Sequence, residues 1–111
     1  MDLVTALAGS GPAFVYRFID ALACGATELG LPAEQAGRLA LAMVEGAASL
    51  AAASPHSPGE LARRVASPGG TTQAGLDTLD RDGALAGLIE ATLRSARDRS
   101  LEMAAEARLK G

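Results

Sequence analysis

The sequence predicts an all-α fold of about five helices. Apolar residues recur at spacings of three and four along most of its length, and all five prolines fall where one such segment gives way to the next. No alternating apolar and polar run is long enough to build a sheet.

The first helix is expected from about Pro12 to Leu29, with Pro12 near its start and Gly30 as its stop. Phe14, Val15, Phe18, Ile19, Leu22 and Ala26 form its apolar face, while Asp20 and Glu28 lie on the other side. Leu31-Pro32-Ala33-Glu34 restarts the chain, with the proline suited to a first helical position and the glutamate placed to complement the helix dipole.

The second helix carries the clearest structural message. Between Leu39 and Ala53 the only charged residue is Glu45, and Leu39, Leu41, Met43, Val44, Ala47, Leu50 and Ala51 occupy every side. A helix that is apolar all round has to be covered all round. A chain of 111 residues has few elements with which to do this, so a second copy is expected to cover it, giving an obligate homodimer. The stretch is short and alanine-rich for a membrane span, which needs about 20 predominantly apolar residues, so no membrane is expected. Glu45 is left either at a rim or as a buried group with a partner across the two-fold.

Ala53 to Gly59 reads as a turn, and Ser57-Pro58-Gly59-Glu60 fits a capping box opening a short helix, with Leu61 and Val65 inward and Arg63 and Arg64 outward. A further helix holds Leu76 and Leu79 and ends near Asp82-Gly83. The last runs from Ala84 to about Leu109. Leu85, Leu88, Ile89, Thr92, Leu93, Ala96, Leu101 and Ala104 supply its inner face, and Arg94, Arg97, Asp98, Arg99, Glu102 and Glu106 read as a solvated one.

Composition limits the functional classes. With 49% hydrophobic and 21% charged residues the chain reads as one soluble globular domain. A net charge of −3, with no basic stripe, argues against nucleic acid. One cysteine excludes an internal disulfide framework, and no charged leader with an apolar core is recognisable, so a cytoplasmic location is the default expectation. Cys24, among Ala21, Leu22, Ala23 and Ala26, is expected to be packed rather than reactive. His56, between two prolines, lacks companions for a metal site and reads as a turn residue.

The chemistry is concentrated between Val65 and Leu79. Ser67-Pro68 stops the preceding helix, because proline disfavours helical geometry in the residue before it and has no N–H to donate. Gly69 and Gly70 permit positive φ and carry no side chain. Thr71 or Thr72 then caps the next helix, whose unpaired N–H groups and positive dipole end face the same space. Spacing alone leaves two readings, a plain capped turn or a site for a carboxylate or phosphate. Leu3 to Ala8 followed by Gly9-Ser10-Gly11 imitates a strand opening a dinucleotide fingerprint. Phe14 stands where the third glycine belongs, Pro12 interrupts the turn, and no second strand with a terminal acid follows.

Two blocks resemble a known family. Ala66-Ser67-Pro68-Gly69-Gly70-Thr71-Thr72 with Ala74-Gly75-Leu76 and Leu79, and Thr5-Ala6-Leu7-Ala8-Gly9-Ser10-Gly11-Pro12-Ala13-Phe14, are similar to the pyrroline-5-carboxylate reductases of proline biosynthesis. Their order matches as well. The resemblance implies the helical C-terminal domain of that two-domain enzyme, forming an interlocked homodimer like the corresponding domain of 6-phosphogluconate-dehydrogenase-type reductases. Residues 1–111 would then be a single dimerisation and substrate-binding domain. The family's N-terminal dinucleotide-binding domain has no counterpart here.

By the same resemblance, NADPH or NADH serves the two-domain enzyme, whereas this chain alone is expected to bind no cofactor and to be inactive. The N–H groups around Gly69, Gly70 and Thr71, with the Ser67 hydroxyl, would hold the carboxylate of pyrroline-5-carboxylate or proline. Thr72 would be the catalytic donor to the ring nitrogen. Ser10 and Gly11 would line the nicotinamide side. Partners implied are a second copy, with assemblies of dimers left open, and the small-molecule substrate; no metal is implied.

Two departures stand out. Ser57-Pro58-Gly59 replaces the family's frequent His-Pro-Gly, so no histidine role transfers to His56, and Arg63 occupies a commonly acidic position. Two other readings stay open: a helical homodimerisation module without ligand, and the matching domain of another reductase of small carboxylate imines or ketones.

Overall fold

The computed structural model describes residues 2–110. In order these are α1 (Asp2–Val4), a π-helical turn (Thr5–Gly9), α2 (Gly11–Glu28), α3 (Ala33–Ala53), α4 (Pro58–Val65), α5 (Thr71–Asp80), a 3-10 turn (Arg81–Gly83) and α6 (Ala84–Lys110). No strand occurs among the described residues. The segment Leu3 to Ala8 that imitates a strand is helical, with the Ser10 N–H reaching back to the Thr5 carbonyl at 3.2 Å.

The helix boundaries follow from local chemistry. Gly30, at φ +114°, ends α2: its N–H donates to Thr27 O at 3.0 Å and that of Leu31 to Ala26 O at 3.0 Å. This pair of bonds is a Schellman motif, which satisfies two otherwise unpaired carbonyls and needs a residue tolerant of positive φ. At α4 the Ser57 hydroxyl accepts the Glu60 N–H at 3.2 Å, with Pro58 at the first position. The reciprocal arm of the capping box is not made. The Glu60 carboxylate instead pairs with Arg63 at 2.8 Å and Arg64 at 3.3 Å. Asp82 and Gly83, both at positive φ, form the kink between α5 and α6.

The described residues divide into two compact units. One comprises the N-terminal segment through Phe14 and the chain from Ala74 onward. Here α6 lies against α1 and the π turn, Ala6 is buried, and the Ser100 hydroxyl donates to Asp2 Oδ1 at 3.1 Å. The exposed face of α6 carries ion pairs between Arg94 and Glu90 and between Arg99 and both Glu102 and Glu106. The hydrogen bonds that the Arg99 guanidinium donates to the Glu102 and Glu106 carboxylates hold it above its ordinary pKa.

The other unit, Val15–Gln73, holds most of α2, all of α3 and α4, and the turn after it. In α3, Ala36 and Ala40 are buried and Gly37, Val44 and Ala51 half-buried, which marks a single inward stripe. The rest of that helix is open. Leu50 is 73% exposed, Leu41 55% and Met43 50%.

Several expectations about burial are corrected by these positions. Among the described residues nothing larger than alanine is fully buried. Val15, Phe18, Val65, Leu88, Ile89 and Leu101, expected inside, are all exposed, because one copy of the chain supplies no second layer over them. Cys24, expected to be packed, is exposed beside Asp20 and Glu28 in a cleft between α2 and α3. Its alanine neighbours are too small to cover the thiol. Glu45 is exposed as well and makes no ion pair among the described residues. The length argument against a membrane span also changes: α3 has 21 residues and is, by length and composition, long and apolar enough to cross one. Against that reading stand Glu34, Arg38 and Glu45 within the same helix.

Candidate functional site

The candidate site is built where α4 gives way to α5. Ala66 leaves the helix in extended geometry, at φ −82° and ψ 128°, while its N–H still bonds Ala62 O at 3.3 Å. Pro68 cannot continue the helix. The chain turns over Ser67 to Gly70, closed by the Gly70 N–H donating to Ser67 O at 2.9 Å. Proline at the second position and Gly69 at φ +75° at the third define a type II turn, which requires positive φ there.

Helix α5 starts at once with Thr71 and Thr72 as its first two residues. Neither occupies the position ahead of the helix, so the expected threonine cap is replaced by Gly70 in that place. The reason lies in the turn: the chain has reversed by Gly70, and both threonines already fall within the helix.

The turn gathers five of the predicted site residues, Ser67, Gly69, Gly70, Thr71 and Thr72, within one short segment. Ser67, Gly69, Thr71 and Thr72 are exposed and Gly70 half-buried. Gly70 is not an available donor, since its N–H is spent inside the turn. Gly69, Thr71 and Thr72 have no hydrogen-bond partner outside regular helix bonds, and the Ser67, Thr71 and Thr72 hydroxyls are unpaired among the described residues. The first amides of α5 lack intrahelical acceptors and stand at the positive end of its dipole. Such an arrangement can receive a small anion.

Ser10 and Gly11 belong to the other unit. Ser10 joins the π turn to α2: its carbonyl accepts Ala13 N at 3.0 Å and Phe14 N at 3.4 Å. Since Gly9-Ser10-Gly11 links helix to helix, it is not the strand-to-helix turn that binds a dinucleotide's phosphates. A cleft beside it is lined by Thr5, Ser10, Ala96, Arg99, Ser100 and Met103. The α6 members of that cleft could not be read from sequence, because nothing local links Ser10 to residues some 90 positions later. The engagement of Gly70 was readable in principle, since Pro-Gly at the centre of a type II turn commits the following N–H to the turn.

Comparison with known proteins agrees with this architecture. The family model described as pyrroline-5-carboxylate reductase dimerisation matches residues 1–103. The pyrroline-5-carboxylate reductase of Pseudomonas aeruginosa is 43% identical over 104 residues, which is 94% of this chain and 38% of that protein. The enzyme of Pisum sativum is 46% identical over 102 residues, 92% of this chain and 37% of its own length. Among solved structures, Plasmodium falciparum pyrroline carboxylate reductase with NADP bound superposes with a TM-score of 0.86 at 31% identity, covering 93% of this chain and 39% of that one. The Streptococcus pyogenes 1-pyrroline-5-carboxylate reductase gives 0.75 at 39% identity, covering 87% and 39%.

The helical fold and the family match together define a domain of the reductase-dimerisation class. The chain belongs to the pyrroline-5-carboxylate reductase dimerisation family. It spans less than two-fifths of the length of the Pseudomonas aeruginosa and Pisum sativum relatives.

Proposed function

We propose that this chain is the dimerisation and substrate-carboxylate domain of a cytoplasmic reductase that converts pyrroline-5-carboxylate to L-proline. The observation that carries the proposal is the type II turn opening α5, in a chain of this family, with the amides of Gly69, Thr71 and Thr72 left without a backbone partner. In that enzyme NADPH or NADH supplies hydride to the C=N carbon. Among the described residues no strand precedes a helix to form the turn that would hold such a cofactor's phosphates, so residues 1–111 alone are expected to be inactive and to contribute Ser10 and Gly11 only to the nicotinamide side.

The substrate carboxylate is held by the Thr71 and Thr72 N–H groups, with Gly69 at the rim and the Ser67 hydroxyl donating from the side. The Thr72 hydroxyl donates to the ring nitrogen. A threonine hydroxyl is too weak an acid to deliver a proton unaided, so it stabilises the change of charge at nitrogen while water supplies the proton. Gly70 takes no direct part.

The homodimer belongs to the same reading. Leu39, Leu41, Met43 and Leu50 on α3 are half or more exposed, and the family's description as a dimerisation domain supports a second copy as what covers them. Removing such a surface from water contributes about 25 cal/mol per Å². The test is oxidation of NADPH and NADH with pyrroline-5-carboxylate, by the chain alone and joined to a related dinucleotide-binding domain. Turnover only in the joined protein is the expected result. No turnover in a folded, dimeric joined protein would sink the proposal.

A further inference from the structure

We infer that Gly70 is a positioning residue, kept free of a side chain so that the Ser67 carbonyl and hydroxyl stay where the turn puts them. This rests on the carboxylate reading above and deepens it. The two glycines of the turn serve different needs. Gly69 stands at φ +75°, and a Cβ there would meet nothing within 4 Å, so its requirement is backbone conformation alone. Gly70 has no left-handed φ, yet a Cβ on it would stand 3.1 Å from the Ser67 carbonyl oxygen and 3.5 Å from the Ser67 Cβ. Its requirement is room.

That crowding has a definite target. The oxygen it presses on is the one accepting the Gly70 N–H at 2.9 Å, and the neighbouring carbon carries the Ser67 hydroxyl. Any side chain at position 70 presses on the Ser67 carbonyl oxygen that closes the turn and approaches the carbon that bears its hydroxyl, so Ser67 has to give by a few tenths of an ångström and its hydroxyl moves with it. A hydrogen bond to a carboxylate weakens steeply with misalignment. Position 70 therefore sets affinity for the carboxylate through Ser67, without touching the ligand.

The experiment is a double-mutant cycle on L-proline binding to this chain, read by titration calorimetry. Gly70→Ala is expected to weaken binding about five- to tenfold, the size of one lost hydrogen bond. Ser67→Ala is expected to do the same. The double variant should be no weaker than either single one, since a displaced hydroxyl and an absent one are equivalent. Losses that multiply in the double variant would overturn the inference and leave the carboxylate site standing. Absence of L-proline binding by the unaltered chain would overturn the site and the inference with it. Circular dichroism should show unchanged helical content in Gly70→Ala, because alanine is unstrained at that φ; lost helicity would show that position 70 does more than place Ser67.

Discussion

The Ser67 carbonyl accepts the Gly70 N–H at 2.9 Å, which divides the amides of the turn into one that is spent and others, at Gly69 and Thr71, without a backbone partner. The division can be measured without ligand. In hydrogen exchange the Gly70 amide should be slower than those of Gly69 and Thr71. Equal, fast exchange across all three would mean that the turn does not persist in solution.

Gly69→Ala should destabilise the fold by about 1–2 kcal/mol, the cost of placing a β-carbon at positive φ. Gly30→Ala should cost a similar amount, since Gly30 at φ +114° closes the Schellman end of α2. Urea denaturation reads both. A neutral result at either position would show that the backbone relaxes to negative φ there.

Ser57→Ala removes the hydroxyl that accepts the Glu60 N–H, and α4 has only eight residues in which to absorb the loss. A cost of about 1 kcal/mol is expected, with faster exchange confined to the first turn of α4. Retained stability would mean that the Glu60 pairs with Arg63 and Arg64 suffice.

Leu50→Glu places a charge at a position that is 73% exposed in one copy of the chain. On a free surface such a change lies within about 0.5 kcal/mol of neutral. In a dimer interface it leaves an unpaired buried charge, and sedimentation should show monomers at micromolar concentration. An unaltered dimer would place the interface away from α3.

Thr72→Val in the joined two-domain protein should lower kcat about tenfold or more with little change in KM, because the lost donor acts on charge that develops at nitrogen. A rise in KM alone would make Thr72 a binding residue.

Much of the fold was legible because its signals are local. Gly30, the Ser57-Glu60 pair and the Asp82-Gly83 kink each fix a helix end through residues a few positions apart, and the structure puts those ends within a residue or two of expectation. The turn at Ser67 was equally readable, and its residues carried the family resemblance. What misled was the covering of apolar faces. Cys24 and Leu88 sit in apolar surroundings along the sequence, yet a pattern of apolar residues states only that a face seeks cover. The threonine cap failed for a finer reason, as one residue of turn geometry moved the helix start to Thr71.

By itself, then, the sequence determined the all-helical class, the helix ends and the Ser-Pro-Gly-Gly turn, since all depend on backbone preferences within one or two turns. Only the tertiary structure decided that Ser100 bonds Asp2 across 98 positions, that Ser10 shares a cleft with Arg99, and that a side chain at position 70 would crowd Ser67. The first two depend on where distant segments meet, which no local preference encodes. The last depends on tenths of an ångström in three-dimensional contact, a scale on which residue types alone are silent.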